Sequence, residues 1–565
     1  GADELRGGAD SDLADYSDRG TTNLKVSLEN AANDGASGEG DNVRSDVENV
    51  TTAGGDDVIT GSGSANTLRG GAGDDRLDGG FGADRLFGGD DVDTVTYASH
   101  GLVGVVVDLA GTGADDGTPG EHDTLATDVE NVTGTAGDDE LDGDAGGNVL
   151  SGGGGDDVLD GRLGADALAG GDGFDLADYS LRSADLAITL DGVADDGASG
   201  EKDDVGIDVE DVATGSGDDA ISGSGDVDNF FYGGGGVDAL NGGPGDDILL
   251  GGAGDDNHRG ASHGGLNGQT GDDILDGGTG ADDLNGSTGS DTADYSSRTA
   301  ALDVTIDGAA DDGAAGEGDN VAADVENVVG GSGDDDIAGS SAANTLVGGD
   351  GADTLSGRAG PDTIISRDAF ADMVECGGED DRVIADLLDG VDADCETVSF
   401  PSQDGGGTVE LPSQGGQTDS TSSTEQTGQS EQIGQGTTQP TTTDQTPSAS
   451  KPARVRPTSL SVRVAPGRDR SAPFRFVVTG VVGLPPGTSR TAACQSGRVS
   501  VQVKVGTKTI STRRAAVDFT CHYRLTLSFA NARRLGRGRL KIVVRFLGTT
   551  RLTALGPSSR FVRAG

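Results

Sequence analysis

Aspartate recurs at intervals of nine: Asp57, Asp75, Asp84 and Asp93 keep one frame, and Asn66 fills the place between the first two. From Gly70 to Thr96 the chain reads GGAGDDRLD, GGFGADRLF and GGDDVDTVT, three nonapeptides in register. Carboxylates repeated this closely repel one another unless a cation lies between them, and their oxygens are hard donors suited to a hard divalent ion. An apolar residue follows two places behind each frame position, at Ile59, Leu68, Leu77, Leu86 and Val95. A chain that alternates a glycine-aspartate turn with a short apolar strand can coil into a β-solenoid, with its aspartates stacked along the edges. The turns position the carboxylates, and the strands position the turns.

Composition fits that reading. Glycine makes up 102 of 565 residues and tryptophan is absent, so most of the length has no large globular core. The repeats must be held by ladder hydrogen bonds, a thin aliphatic stripe and metal. The net charge of −61 is unevenly spread: residues 1–400 hold 91 acids and 15 bases, 401–450 hold 6 acids and no base, and 451–565 hold 2 acids and 23 bases. Self-repulsion of that size keeps a metal-free repeat region expanded.

A longer unit of about 80 residues sits above the nine. Asp15-Tyr16-Ser17 recurs as Thr96-Tyr97-Ala98, Asp178-Tyr179-Ser180 and Asp294-Tyr295-Ser296. Each tyrosine precedes an alternating strand, then an acidic loop (DGASGEGD, DDGTPGEHD, DDGASGEKD, DDGAAGEGD), then DVENV or DVEDV. The alternation marks half-buried strands, so the inserts read as longer solenoid turns. The third unit is longer and irregular: Asp228 to Asp238 is ten residues, and Asp256 to Asp273 is seventeen where eighteen is expected. Between the latter two, His258 and His263 read either as metal ligands or as exposed residues of a bulged turn.

The nonapeptides fit G-G-x-G-x-D-x-U-x, and over roughly residues 1–400 the chain resembles the RTX (haemolysin-type calcium-binding) repeat proteins. The resemblance implies an all-β fold: a parallel β-roll in which two nonapeptides form one coil and turns eighteen residues apart stack. It also implies Ca2+ ions between stacked turns, bound by aspartate carboxylates and glycine carbonyls. Carried over position by position, the carboxylate ligands are Asp57, Asp75, Asp84, Asp93, Asp139, Asp157, Asp166, Asp175, Asp219, Asp228, Asp238, Asp247, Asp256, Asp273, Asp282, Asp291, Asp335, Asp353 and Asp362. The turn glycines are Gly71, Gly73, Gly80, Gly82, Gly153, Gly155, Gly243, Gly245, Gly278 and Gly280. Glycine is required there because the turn uses φ > 0 and brings backbone oxygens against the ion. Asn66, Asn148 and Asn344 stand where aspartate is expected and offer an oxygen without charge, which weakens the sites at Asp84, Asp166 and Asp362. The acidic inserts repeat D-x4-E-x-D (Asp34, Glu39, Asp41 and three further copies), and read either as a second calcium site or as a solvated loop.

The expected organisation is a β-roll over 1–360, an end cap over 361–400, a Ser/Thr/Gln/Gly-rich disordered linker over 401–457, and a basic domain over 458–565. Alternating stretches at 460–464, 474–478, 498–505, 523–529 and 540–546 suggest a small immunoglobulin-like β-sandwich there. Four cysteines pair most simply as neighbours, Cys376 with Cys395 and Cys494 with Cys521. Disulfides and low-affinity calcium suit an extracellular compartment. The chain opens within a nonapeptide and without methionine, which suggests a fragment or processed chain.

No catalytic constellation stands out: there are five histidines, no H-E-x-x-H and no G-x-S-x-G, and Cys521 and His522 are adjacent in a predicted strand and so face opposite ways. The leading expectation is a secreted, non-enzymatic calcium-binding protein serving as a structural or adhesive stalk. The alternative is the C-terminal export and folding region of a larger secreted enzyme or toxin. The basic domain suits cell-surface or wall polyanions, or the chain's own acidic stalk. It carries few aromatics for specific nucleic-acid recognition.

Overall fold

In the computed structural model, residues 1–400 are described except 112, 226 and 257–264, together with strands between 409 and 564. Strand Val58–Ser62 pairs in parallel with Arg76–Gly80, which pairs with Thr94–Thr96; on the other face Thr67–Ala72 pairs with Arg85–Asp90. Successive nonapeptides therefore alternate between two sheets, and strands two nonapeptides apart are neighbours. Their register is exact to the residue: Ile59 lies against Leu77, Leu77 against Val95, and Leu68 against Leu86. All five side chains are fully buried, forming continuous aliphatic columns between the sheets. In R-L-D-G-G at Arg76–Gly80 the leucine is buried while Arg76 is exposed, the period of two that a strand imposes.

Around Leu77 the core is one residue wide, so each column member counts. Leu77→Ala is expected to cost about 2–5 kcal/mol, read as a lower urea midpoint in saturating calcium. Because each coil contacts only its neighbours, coils on both sides of the lesion should lose hydrogen-exchange protection first.

The roll's sheets have 2, 5, 9, 15 and 13 strands, and the inserts explain the changeovers. In the second insert, the outgoing strand Val106–Asp108 pairs forward with Glu140–Asp142, and the returning Thr124–Leu125 pairs backward with Arg85–Leu86. The third and fourth inserts repeat the plan. Leu186–Thr189 runs forward to Ala220–Ser222 and Asp204–Val205 back to Ala167–Leu168. Leu302–Thr305 runs forward to Asp336–Ala338 and Asp319–Val321 back to Asp283–Leu284. Each insert is thus a hairpin step within the roll that closes one ladder and opens the next.

Residues 361–400 continue both sheets through Thr363–Ile365, Arg382–Ile384 and Thr397–Ser399 on one face, and Met373–Glu375 and Gly390–Val391 on the other. A disulfide joins the buried Cys376 and Cys395, nineteen residues apart. Closing a loop of that length is worth about 3 kcal/mol, so reduction should lower the stability of this end without removing the coils before it.

Beyond residue 400, Val409–Glu410 pairs antiparallel with Thr397–Val398, inside the stretch expected to be a linker. Strands Phe474–Gly483, Gly497–Val505, Lys508–Val517, His522–Phe529, Gly538–Phe546 and Pro557–Ala564 form an antiparallel sheet. Lys508–Val517 and Pro557–Ala564 are strands that hydrophobic alternation did not reveal. The rest of the linker assignment, the sandwich packing and the Cys494–Cys521 pair fall outside the described residues.

Candidate metal centre

The frame aspartates form ladders along the roll's edges. Asp75 Oδ1 accepts the amide of Asp57 at 2.8 Å, and Asp93 Oδ1 accepts that of Asp75 at 2.9 Å. The same step joins Asp139 to Asp157, Asp157 to Asp175, Asp238 to Asp256, Asp273 to Asp291 and Asp335 to Asp353, at 2.7–3.0 Å. Every coil thereby donates a backbone amide to a carboxylate of the coil after it.

That bond uses one oxygen. The other, Oδ2, is buried without a hydrogen-bond partner in Asp57, Asp75, Asp84, Asp93, Asp166, Asp219, Asp238, Asp256, Asp273, Asp282, Asp291, Asp353 and Asp362. A buried carboxylate oxygen with no partner is costly, and so large a set is not tolerated without compensation. The glycines show where these oxygens point. A Cβ at Gly70, Gly79 or Gly286 would collide with Oδ2 of Asp75, Asp84 or Asp291, five residues on in the same turn. A Cβ at Gly71, Gly80 or Gly278 would strike the carbonyl of Ala53, Ser62 or Gly252 in the coil before. All ten expected turn glycines have positive φ, from 76° at Gly80 to 144° at Gly82. Each turn therefore gathers carboxylate and backbone oxygens and excludes side chains, an all-oxygen donor set that suits calcium.

Electrostatics say the same. Burial first, and neighbouring carboxylates second, push Asp282 up to about 9 and Asp84, Asp238 and Asp273 up to about 8. Asp93, Asp166, Asp256 and Asp362 rise to about 7, and Asp75, Asp291 and Asp353 to about 6. Near neutral pH the most raised of them, Asp84, Asp238, Asp273 and Asp282, stay ionised only with a cation beside them.

Several sequence assignments move. Asp228 is exposed and outside the ladder; Asn229, which is buried, takes the frame position and donates its amide to Asp247 Oδ1 at 2.7 Å. The extra residue lies between Asp219 and Asn229, because Asn229 to Asp238 is a regular nine. Asp256 and Asp273 do not stack on each other: Asp247 stacks with Asp273 and Asp256 with Asp282, each 26 residues apart. The irregularity is an insertion of eight residues, 257–264, and not a deletion of one; His258 and His263 lie in it, outside the described residues. Asp139 and Asp335 have both oxygens committed to backbone amides, those of Val105 and Thr135 for the first and Leu302 and Gly331 for the second. They open their ladders instead of sitting mid-array.

The asparagines have a structural reason that the spacing did not reveal. Nδ2 of Asn66, Asn148, Asn229 and Asn344 donates to the carbonyl of Glu48, Glu130, Glu210 and Glu326, the glutamate of each DVE segment, at 2.8–3.0 Å. Oδ1 of Asn66, Asn148 and Asn344 accepts a local amide, so it is not left over for an ion. The same glutamates end the opposite ladder, with Glu130, Glu210 and Glu326 accepting the amides of Asp93, Asp175 and Asp291.

The first aspartate of each insert loop is neither solvated nor free for a cation. Asp34 is 1% exposed and takes the amides of Ser27 and Val43, both at 2.7 Å. Asp116, Asp196 and Asp312 bridge their hairpins identically. The last aspartate of each loop joins a ladder, as Asp123, Asp203 and Asp319 accept the amides of Asp84, Asp166 and Asp282. In Asp203 and Asp319 a tyrosine hydroxyl, Tyr179 or Tyr295, bonds the Oδ2 that is orphaned elsewhere, at 3.0 and 3.1 Å. Glu201 and Glu317 pair with Arg182 and Arg298. These loops are staples.

The geometry defines a parallel β-roll with oxygen-lined turns for hard cations. Comparison with known families places it further: the RTX calcium-binding nonapeptide repeat (4 copies) matches residues 51–86, 60–95, 127–157, 142–177, 232–257, 266–293 and 329–364. The chain is an RTX-repeat protein across that span, and its repeats are calcium-binding. No curated protein matches the chain. Among the described residues no helix is long and apolar enough to cross a membrane.

Position in the ladder should set the effect of losing a carboxylate. The Asp75 carboxylate and amide bond to coils on both sides, whereas Asp3 stands at the start of the roll and bonds through its backbone to Asp41 and Asn42. Asp75→Ala should raise the calcium midpoint of folding severalfold and Asp3→Ala hardly at all. Equal effects in a calcium titration would mean independent sites.

Proposed function

We propose that this chain is a secreted calcium-binding repeat protein whose β-roll folds on meeting calcium outside the cell and then serves as a structural or adhesive stalk. It acts by binding and not by catalysis. The observation that supports this most is the run of buried aspartate oxygens without hydrogen-bond partners along the roll's edges. Such a chain is poorly stable where calcium is scarce and gains stability where it is abundant. The basic region, with 23 bases against 2 acids over residues 451–565, supplies the adhesive end by attracting anionic cell-surface polymers.

Limited proteolysis of the full chain tests the reading. Residues 1–400 should resist cleavage at about 1 mM free calcium and be degraded at about 0.1 µM, the concentrations that separate extracellular modules from cytosolic sensors. Equal resistance at both would overturn it. Retention on an anionic polymer should fall steeply with salt, because such contacts release counterions.

A further inference from the structure

Past the last matched repeat the turn changes character. Between Asp362 and Asp372 the chain reads TIISRDAFA, with no glycine at all. Ala369 adopts φ 99°, a left-handed conformation that elsewhere in the roll is left mainly to glycine. A conformation unfavourable for alanine persists only where its surroundings hold it.

What the turn gains is a carboxylate. Asp368 accepts the amide of Gly351, in the preceding stacked turn, at 2.8 Å and that of Phe370 at 2.7 Å. These bonds pin it over the ladder step from Asp353 to Asp372, where Asp372 Oδ1 accepts the Asp353 amide at 2.9 Å. One oxygen from each of Asp353, Asp368 and Asp372 lies within 4.8 Å of the others. Asp353 is 1% and Asp372 2% exposed, and Oδ2 of each is buried without a partner. The neighbouring Arg367 does not neutralise the cluster, since it reaches the carbonyl of Ser399.

We propose that Asp353, Asp368 and Asp372 form a three-carboxylate site for a hard cation at the end of the roll, built on a turn outside the nonapeptide consensus. It extends the proposed reading that the ladders hold calcium, replacing glycine carbonyls with a third charge. Higher ligand charge raises affinity for hard cations and favours a trivalent lanthanide over calcium at the same site. The third carboxylate makes this the site at which such an ion collects first.

The test uses the full chain in saturating calcium with one equivalent of europium(III), followed by direct excitation of its luminescence. The wild type should take up the ion at one class of site. D368N and D372N should each weaken that uptake tenfold or more while keeping the far-ultraviolet sheet signal. D372N is the second variant because asparagine already stands at four ladder positions, at Asn66, Asn148, Asn229 and Asn344. Wild-type uptake by D368N would overturn the three-carboxylate site, as would loss in D372N alone, which would leave an ordinary two-carboxylate step. A sheet signal that never depends on calcium would count instead against the proposed function, and europium uptake is read independently of it.

Discussion

Chelating calcium from the full chain is expected to abolish the parallel-sheet circular-dichroism signal of residues 1–400 and to expand the molecule. That span carries 91 acids against 15 bases, and its core is a thin aliphatic column on each face with one small second cluster at Leu176, Ala213, Phe230, Ile248, Leu250 and Ile274. Each coil buries one or two frame carboxylates, asparagine taking the other place in four of them, and most of these carboxylates keep one oxygen without a partner. Backbone ordering costs roughly 1–2 kcal/mol per residue, which so thin a core does not offset alone. Ion binding therefore acts as folding energy. The midpoint should lie at about 0.1–1 mM, with a steep slope because each coil's site is completed by the next. A sheet signal that survives chelation with its near-native amplitude would refute this account.

Protons should substitute for the missing cation. In chelator, lowering the pH from 9 toward 5 is expected to restore sheet signal and compactness. Burial holds the folded-state carboxyls of Asp84, Asp238 and Asp273 at about 8 and of Asp282 at about 9, above the ordinary value of 3.8 in an unfolded chain. The folded form therefore binds more protons than the unfolded form between about pH 4 and 9. The linked stability is fully present below the unfolded value and lost as pH rises through the folded ones. With calcium bound, the same carboxylates are held ionised by the ion and this dependence should shrink. A metal-free chain that grows less ordered as pH falls from 8 to 5 would contradict it.

How much of this was legible depended on whether a neighbour in space was also a neighbour in frame. The aliphatic columns and the eighteen-residue stacking follow from a strict period, so Ile59, Leu77 and Val95 could be placed from the sequence. The turn glycines followed from the same period, since only their φ was required. Frame errors were harder. Asp228 and Asn229 are adjacent and chemically similar, and the strand after them, Phe230–Gly235, decides which one enters the ladder. The eight-residue insertion looked like a one-residue deletion because 17 lies closer to 18 than to 9. The inserts hid most, because their acidic composition resembles a cation site. Asp34 and Asp312 are instead consumed by backbone amides seven and nine residues away, a tertiary fact that composition does not carry. Asp368 was missed because its turn lacks the glycines that marked the nonapeptide frame.

The stacking intervals also make the roll a store of length. One coil advances the axis by about 4.8 Å, the spacing of neighbouring strands. Its 18 residues would span about 60 Å when drawn out. A chain pulled from its ends should therefore yield in discrete extensions, one coil at a time, with each released coil ready to rewind when tension falls. The intervals are not uniform: 18 residues separate Asp57 from Asp75, 26 separate Asp247 from Asp273, 37 separate Asp282 from Asp319 and 39 separate Asp84 from Asp123. The force-extension trace of one molecule should carry that series as a bar code. Load applied along such a roll should be absorbed as slack released in graded steps, and the surrounding calcium should set how readily the coils reel back in.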